Sequence, residues 1–162
     1  MALTAAFWIM AVIIVVSALA VVFLRNIFRA ALMLILCFIA VAGLYITLSA
    51  DFLAAVQILV YVGAIAVLII LAIMMTRNFQ KGSPSNRMQL PVAIVVLVLL
   101  GFLIYAVTAA PWSISGEPPL APTTQPLATA LFSQNSYILA VEIGAVMLLA
   151  AIIGAIVITR EK

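Results

Sequence analysis

The chain has 162 residues, 69% of them hydrophobic and 7% charged, with seven basic against four acidic side chains and a net charge of +3. Soluble domains average about 45–50% apolar and about 25% charged, so too little polar surface is present to coat an aqueous fold, and the solvent is a bilayer. With no histidine and one cysteine, this chain alone builds no histidine-based triad and no zinc or iron–sulfur site.

Five uninterrupted apolar runs of about 20 residues, enough to cross about 30 Å of hydrocarbon at 1.5 Å per residue, predict an all-α membrane protein with five transmembrane helices in one domain. The first run covers residues 3–24. Its Ser17-Ala18-Leu19-Ala20 has an A-x-A-like pattern, but no positive residue precedes it, and the run exceeds the about 7–15 residues of a signal-peptide core. It is read as a retained helix. Runs at 28–48 and 52–76 follow after such short connections that the first three spans form an antiparallel series packed as one unit. Cys37, inside the second run, acts as a small hydrophobe, while Tyr45, Thr47 and Ser49 near its end mark the interface. Asp51 opens the third span, where a carboxylate caps an exposed helix N-terminus.

Residues 77–89, with Arg77, Lys81, Gly82, Pro84 and Arg87, read as a loop. The fourth span covers 90–110. Residues 111–135 hold five of the seven prolines, which deny a regular helix through most of that stretch but leave room for a short interfacial helix at about 127–132. The fifth span covers 136–158 and repeats small residues four apart, Ala140 with Gly144, Ala150 with Gly154 and Ala151 with Ala155, the spacing of close helix pairs.

Lysine and arginine collect in short cytoplasmic loops. Arg25 and Arg29 follow span one, Arg77, Lys81 and Arg87 follow span three, and Arg160 and Lys162 follow span five. An odd number of spans puts all seven on one side; an even number divides them. The N-terminus is therefore expected outside, in the periplasm, and the C-terminus in the cytoplasm. The basic residues sit at the ends of apolar runs rather than on one face among aromatics, so the expected partner is lipid and not nucleic acid.

Two places carry polar groups at membrane depth. Glu142 lies six residues into the fifth span, about 9 Å along the axis. An ionisable group there has to be neutral, paired or wet, which makes it a functional candidate, either as a proton relay or as a hydrogen-bond partner of a neighbouring helix or subunit. In the third span Gln57 and Tyr61 stand four apart, on one helix face, followed by Gly63 and Ala64. That is a hydrogen-bonding stripe beside a small-residue notch. The notch suits close helix packing and also a local irregularity such as a π-bulge.

The run Ala50-Asp51-Phe52-Leu53-Ala54-Ala55-Val56-Gln57-Ile58-Leu59-Val60-Tyr61-Val62-Gly63-Ala64-Ile65 closely resembles the third-helix signature of subunit J of the proton-pumping NADH-quinone oxidoreductases, chain 6 in mitochondrial complex I. Ala40-Val41-Ala42-Gly43-Leu44-Tyr45, Tyr137-Ile138-Leu139-Ala140-Val141-Glu142 and Ile153-Gly154-Ala155-Ile156-Val157 are similar to further parts of that family, over spans two and five. The position matched by Gln57 is glutamate in some relatives; an amide orients water but does not titrate.

The resemblance implies a respiratory-complex subunit without catalytic residues or a cofactor of its own, in the inner membrane of a bacterium, with an organellar membrane as the alternative. NADH, FMN, iron–sulfur clusters and quinone belong to the whole complex. Small three-helix subunits, the quinone-site subunit and antiporter-like subunits are the implied partners. In that family the third helix switches between α and π forms near the positions of Tyr61 and Gly63. The expected function is to couple quinone reduction to proton translocation through a hydrated path. Tyr61, Val62 and Gly63 are its gate, and Gln57, Tyr61 and Glu142 line the path or bond partner helices. Two other readings stay open: a small proton-coupled exporter using Glu142, and a purely structural spacer.

Overall fold

The computed structural model of the chain describes residues 1–76, 89–112, 123–133 and 137–160. Residues 77–88 of the first expected loop, with Arg77, Lys81 and Arg87, lie outside the described residues, as do Pro118, Pro119, Pro122, Glu117 and Lys162. Among the described residues every regular element is helical. Five helices are long and apolar enough to cross a membrane: α1 (Ala2–Phe23), α2 (Ile27–Thr47), a third helix running Asp51–Met75, α5 (Gln89–Ala109) and α7 (Ile138–Thr159). The third helix divides into α3 (Asp51–Val56), a π segment (Gln57–Ile65) and α4 (Ala66–Met75). A shorter helix, α6 (Thr124–Phe132), lies in the proline-rich stretch and starts earlier than expected.

The first connection is set by Asn26, whose side-chain oxygen accepts from the N–H groups of Phe28 at 3.0 Å and Arg29 at 3.2 Å. This is an N-cap, and an asparagine directly before an apolar run is its sequence signal. The second connection is tighter. Ser49 N–H donates to the Ile46 carbonyl at 3.0 Å and Ala50 N–H to the Tyr45 carbonyl at 2.9 Å, the paired closure of a Schellman motif. Its left-handed position, usually glycine, is held by Ser49 at φ 59°. Ser49→Val is therefore expected to lower the melting temperature of the purified protein, because a β-branched side chain is strained in that region. Ser49→Gly leaves it unchanged or raises it. Asp51 is the first helical residue rather than the cap, and it makes no capping hydrogen bond, so its carboxylate acts only through its charge near the helix N-terminus.

The first three spans pack as one unit, α1 along α2 and α2 along the third helix. The core is built from small side chains: Ser17, Ala31, Ala40, Ala42, Ala54 and Ala66 are all buried. Ser17 satisfies itself by donating to the Ile13 carbonyl at 2.6 Å. Cys37 Sγ lies 3.8 Å from the Ile14 carbonyl of α1. A Cβ added at Gly43 would stand 3.0 Å from Met10 Sδ, which measures how closely α1 and α2 approach. Large apolar residues such as Leu19, Val22, Ile39 and Leu68 point outward. Small residues inside and bulky ones outside is the arrangement of helices packed in lipid, where the hydrophobic effect gives no reason to bury leucine.

Beyond this unit the chain has little core. No residue of α7 is buried, and the span Pro91–Ala109 has none either. Apart from the weakest contacts, α5 packs on no other element and α7 only on α6. Gly144 and Gly154 have open space where a Cβ would stand, so the small-residue spacing of α7 is not used for packing within the described residues.

Candidate functional site

The third helix changes its hydrogen-bond pattern at the position of the polar stripe. Gln57 N–H still reaches the Ala54 and Leu53 carbonyls, whereas Ala66 N–H reaches the Tyr61 carbonyl, five residues back. Between them the nine residues Gln57–Ile65 form a π-helix. Most π-helices are single-turn bulges, and they frequently sit at functional sites. This one contains Gln57, Tyr61, Val62 and Gly63.

The π pattern sets which side chains share a face. At 3.6 residues per turn, nine residues make two and a half turns, which would set Gln57 and Ala66 on opposite sides. Yet both are buried, at 7% and 2% exposure, as is Ala54 at 4%. The wider π turn brings nine residues close to two full turns, so Ala54, Gln57 and Ala66 all face α2, followed along α4 by the half-buried Ile69, Ile70 and Ile73. Leu68, Leu71 and Met75 then point away from α2.

Within this register Gln57 is buried as a residue, at 7% exposure, but its amide atoms are not fully enclosed: among the described residues the one buried side-chain polar atom without a partner is Thr123 Oγ1. Tyr61 is about half-exposed and packs edge-on against Phe38 of α2, with ring centroids 5.5 Å apart at 67°. Val62 is half-buried, and Gly63 and Ala64 are exposed on the side away from α2. The one neighbour a Cβ at Gly63 would meet is the Ile58 carbonyl, at 3.4 Å. The notch therefore opens outward, to lipid or to another chain.

Glu142 is placed elsewhere. Because α7 begins at Ile138, Glu142 is its fifth residue, about 6 Å from the helix start, shallower than the sequence spacing gives. Its side chain is exposed, and α7 does not pack on the third helix. The structure thus gathers four of the five candidate residues on one segment and leaves the carboxylate apart. No group of three or more histidine, cysteine, aspartate and glutamate side chains occurs among the described residues, so the donors present do not fit an iron–sulfur cluster.

Two residues of the site escape a sequence reading. Phe38 meets Tyr61 only through the packing of α2 on the third helix, for which the sequence carries no signal. Ala66 is aligned with Gln57 only once a π advance is assumed.

A family model described as NADH-ubiquinone/plastoquinone oxidoreductase chain 6 matches residues 17–158. The chain is 36% identical over 159 residues to the NAD(P)H-quinone oxidoreductase chain 6 of Leptolyngbya boryana, covering 96% of this chain and 79% of that one. It is 37% identical over 166 residues to the F(420)H(2) dehydrogenase subunit J of Methanosarcina mazei, covering 98% and 92%. With the chloroplastic NAD(P)H-quinone oxidoreductase subunit 6 of Nephroselmis olivacea it shares 40% identity over 154 residues, covering 92% and 88%. A match over most of the chain, the five apolar helices and the third-helix run together place this protein in the chain 6 family of the NADH-quinone oxidoreductases.

Proposed function

We propose that the chain is a membrane-arm subunit of a proton-translocating quinone oxidoreductase, carrying out no electron transfer itself and gating a hydrated proton path at its third helix. The observation that carries this reading is the π segment over Gln57–Ile65. It holds the buried Gln57 and an outward-facing glycine notch, and nothing in its sequence forbids regular α winding. Rewinding to α would turn everything beyond it by about half a turn, exchanging Ile69, Ile70 and Ile73 for Leu68, Leu71 and Met75 at the α2 face. That is a two-packing element of the kind that switches.

Glu142, exposed on a helix that among the described residues packs only on α6, is assigned to a partner subunit, as a relay or a hydrogen-bond partner. The uncovered faces of α5 and α7 are assigned to the same surroundings: the small three-helix subunits, the quinone-site subunit and the antiporter-like subunits. NADH, FMN, iron–sulfur clusters and quinone are held elsewhere in the complex. The placement of all seven basic residues puts the N-terminus outside and the C-terminus in the cytoplasm of a bacterial inner membrane. The family match favours this reading over a self-sufficient exporter.

Gln57→Leu separates the gate from the spacer. Gln57 makes no hydrogen bond among the described residues, so an apolar group of similar size forfeits no protein partner. The assembled complex is therefore expected to be at least as stable as the wild type. Reconstituted in liposomes, it should move several-fold fewer protons per quinone reduced, because the amide no longer orients water. Full coupling in a stable Gln57→Leu complex leaves the third helix as a spacer only.

A further inference from the structure

Where the third helix ends beside the start of α2, the two helices leave a groove on the outside of the bundle. Ile27, Ala72, Ile73 and Thr76 line it, and its volume is about 260 Å³. Its walls are apolar. The one hydroxyl among these side chains, that of Thr76, is turned back on its own helix and donates to the Ala72 carbonyl at 2.6 Å. Size narrows the occupant further: one turn of a helix, about 10 Å across and 5.4 Å long, takes up about 400 Å³, more than the groove holds. A slot of this kind suits a single hydrocarbon chain.

Positive charge stands within reach of its rim. Arg25 precedes Ile27 by two residues, which span at most about 7 Å of chain, and its long side chain is exposed. Among the described residues neither Arg25 nor Arg29 makes an ion pair. Of the described acids, Asp51 opens the third helix at its other end, and Glu142 is on α7, which, the weakest contacts apart, packs only on α6. Arg29 also stands two residues from Ile27, but within α2, where two residues turn a side chain about 200° around the axis, away from the groove.

We infer that this groove is a binding site for an anionic phospholipid, with one acyl chain lying between Ile27 and the Ala72–Thr76 turn and the phosphate paired with the Arg25 guanidinium. An apolar chain and a negative head joined in one molecule match an apolar slot that ends near an unpaired cation, and basic pockets between membrane helices bind anionic head groups. A guanidinium meets a phosphate through two parallel N–H···O bonds. The site goes beyond the gate reading and does not depend on it, since it needs only α2 and α4 to be packed as they are.

The experiment is electron cryo-microscopy of the purified complex in nanodiscs of phosphatidylcholine alone and of phosphatidylcholine mixed with phosphatidylglycerol. The expected result in the mixed discs is chain-shaped density in the groove, with a phosphate within hydrogen-bond distance of Arg25, several-fold stronger than in phosphatidylcholine alone. Arg25→Gln should bring it down to the phosphatidylcholine level. Ala72→Phe, which fills the slot from an exposed position, should abolish it with Arg25 intact, and Arg29→Gln should leave it unchanged. The phosphatidylglycerol retained per complex after detergent washing, counted by mass spectrometry, should follow the same order. An empty groove in wild-type mixed discs overturns the inference. So does a groove filled by a partner subunit's side chains, equal density in the two lipids, or a loss in Arg29→Gln as large as in Arg25→Gln. The wild-type comparison of the two lipids decides this even where a variant fails to assemble. Neither quinone reduction nor pumping is read, so failure of the gate leaves the lipid site standing.

Discussion

Gly63→Leu is expected to give a complex that assembles, seen as an intact band on a native gel, but reduces quinone at least several-fold more slowly and pumps correspondingly less. Among the described residues nothing resists the new side chain, since its first atom would find only the Ile58 carbonyl, at 3.4 Å. On the gate reading proposed above, what it meets lies on a partner subunit, and it meets it in only one of two packings. Overfilling a fitted surface costs about 1–3 kcal/mol, which moves a two-state equilibrium by roughly five- to 150-fold. Leucine also favours a regular α-helix over glycine, by somewhat less than the about 0.8–1 kcal/mol that separates alanine from glycine. A complex that fails to assemble, with Gly63→Ala failing likewise, points to a packing role alone.

Ala66→Leu probes the register from the opposite side. In the π register this position is 2% exposed against α2, so three added heavy atoms overpack the seam by about 1–3 kcal/mol. In the α register the same position turns about half a turn away and takes leucine freely. The substitution is therefore expected to empty the π form, lower the melting temperature of the complex by a few degrees, and slow turnover by a factor comparable to Gly63→Leu. Imaging should then show Leu68, Leu71 and Met75 against α2. A variant that keeps both the π segment and full thermal stability shows that Ala66 does not face α2 in the complex.

The five spans were legible because each is a long apolar run closed by charge, proline or a short polar turn, and burial in lipid depends on little else. The three-helix unit was legible for the same reason, since connections as short as Leu24 to Asn26 and Leu48 to Ala50 leave neighbouring helices no other geometry. The π segment was legible only as an irregularity that the Gly63 notch allows and the family resemblance implies, not as nine residues beginning at Gln57. Gln57–Ile65 contains no proline and no polar interruption that forbids ordinary α winding; only the burial of Gln57 together with Ala66 exposes the change of pitch. The left-handed turn at Ser49 was hidden because serine stands where glycine gives the usual signal. The surroundings of Glu142, α5 and α7 were not legible, because among the described residues, the weakest contacts apart, only α6 packs against α7 and no element packs against α5.

The turn at Leu48 to Ala50 has a consequence for how motion would leave the molecule. Two main-chain hydrogen bonds, to Ile46 and Tyr45, clamp the Asp51 end of the third helix to its neighbour. A rod held fast at one end and rewound in the middle delivers all of its torque to the other end. Any change of pitch between Gln57 and Ile65 would thus be spent as a crank-like turn of Ala66–Met75, at the end of the bundle where Ile27 opens α2 beside Ala72 and Ile73.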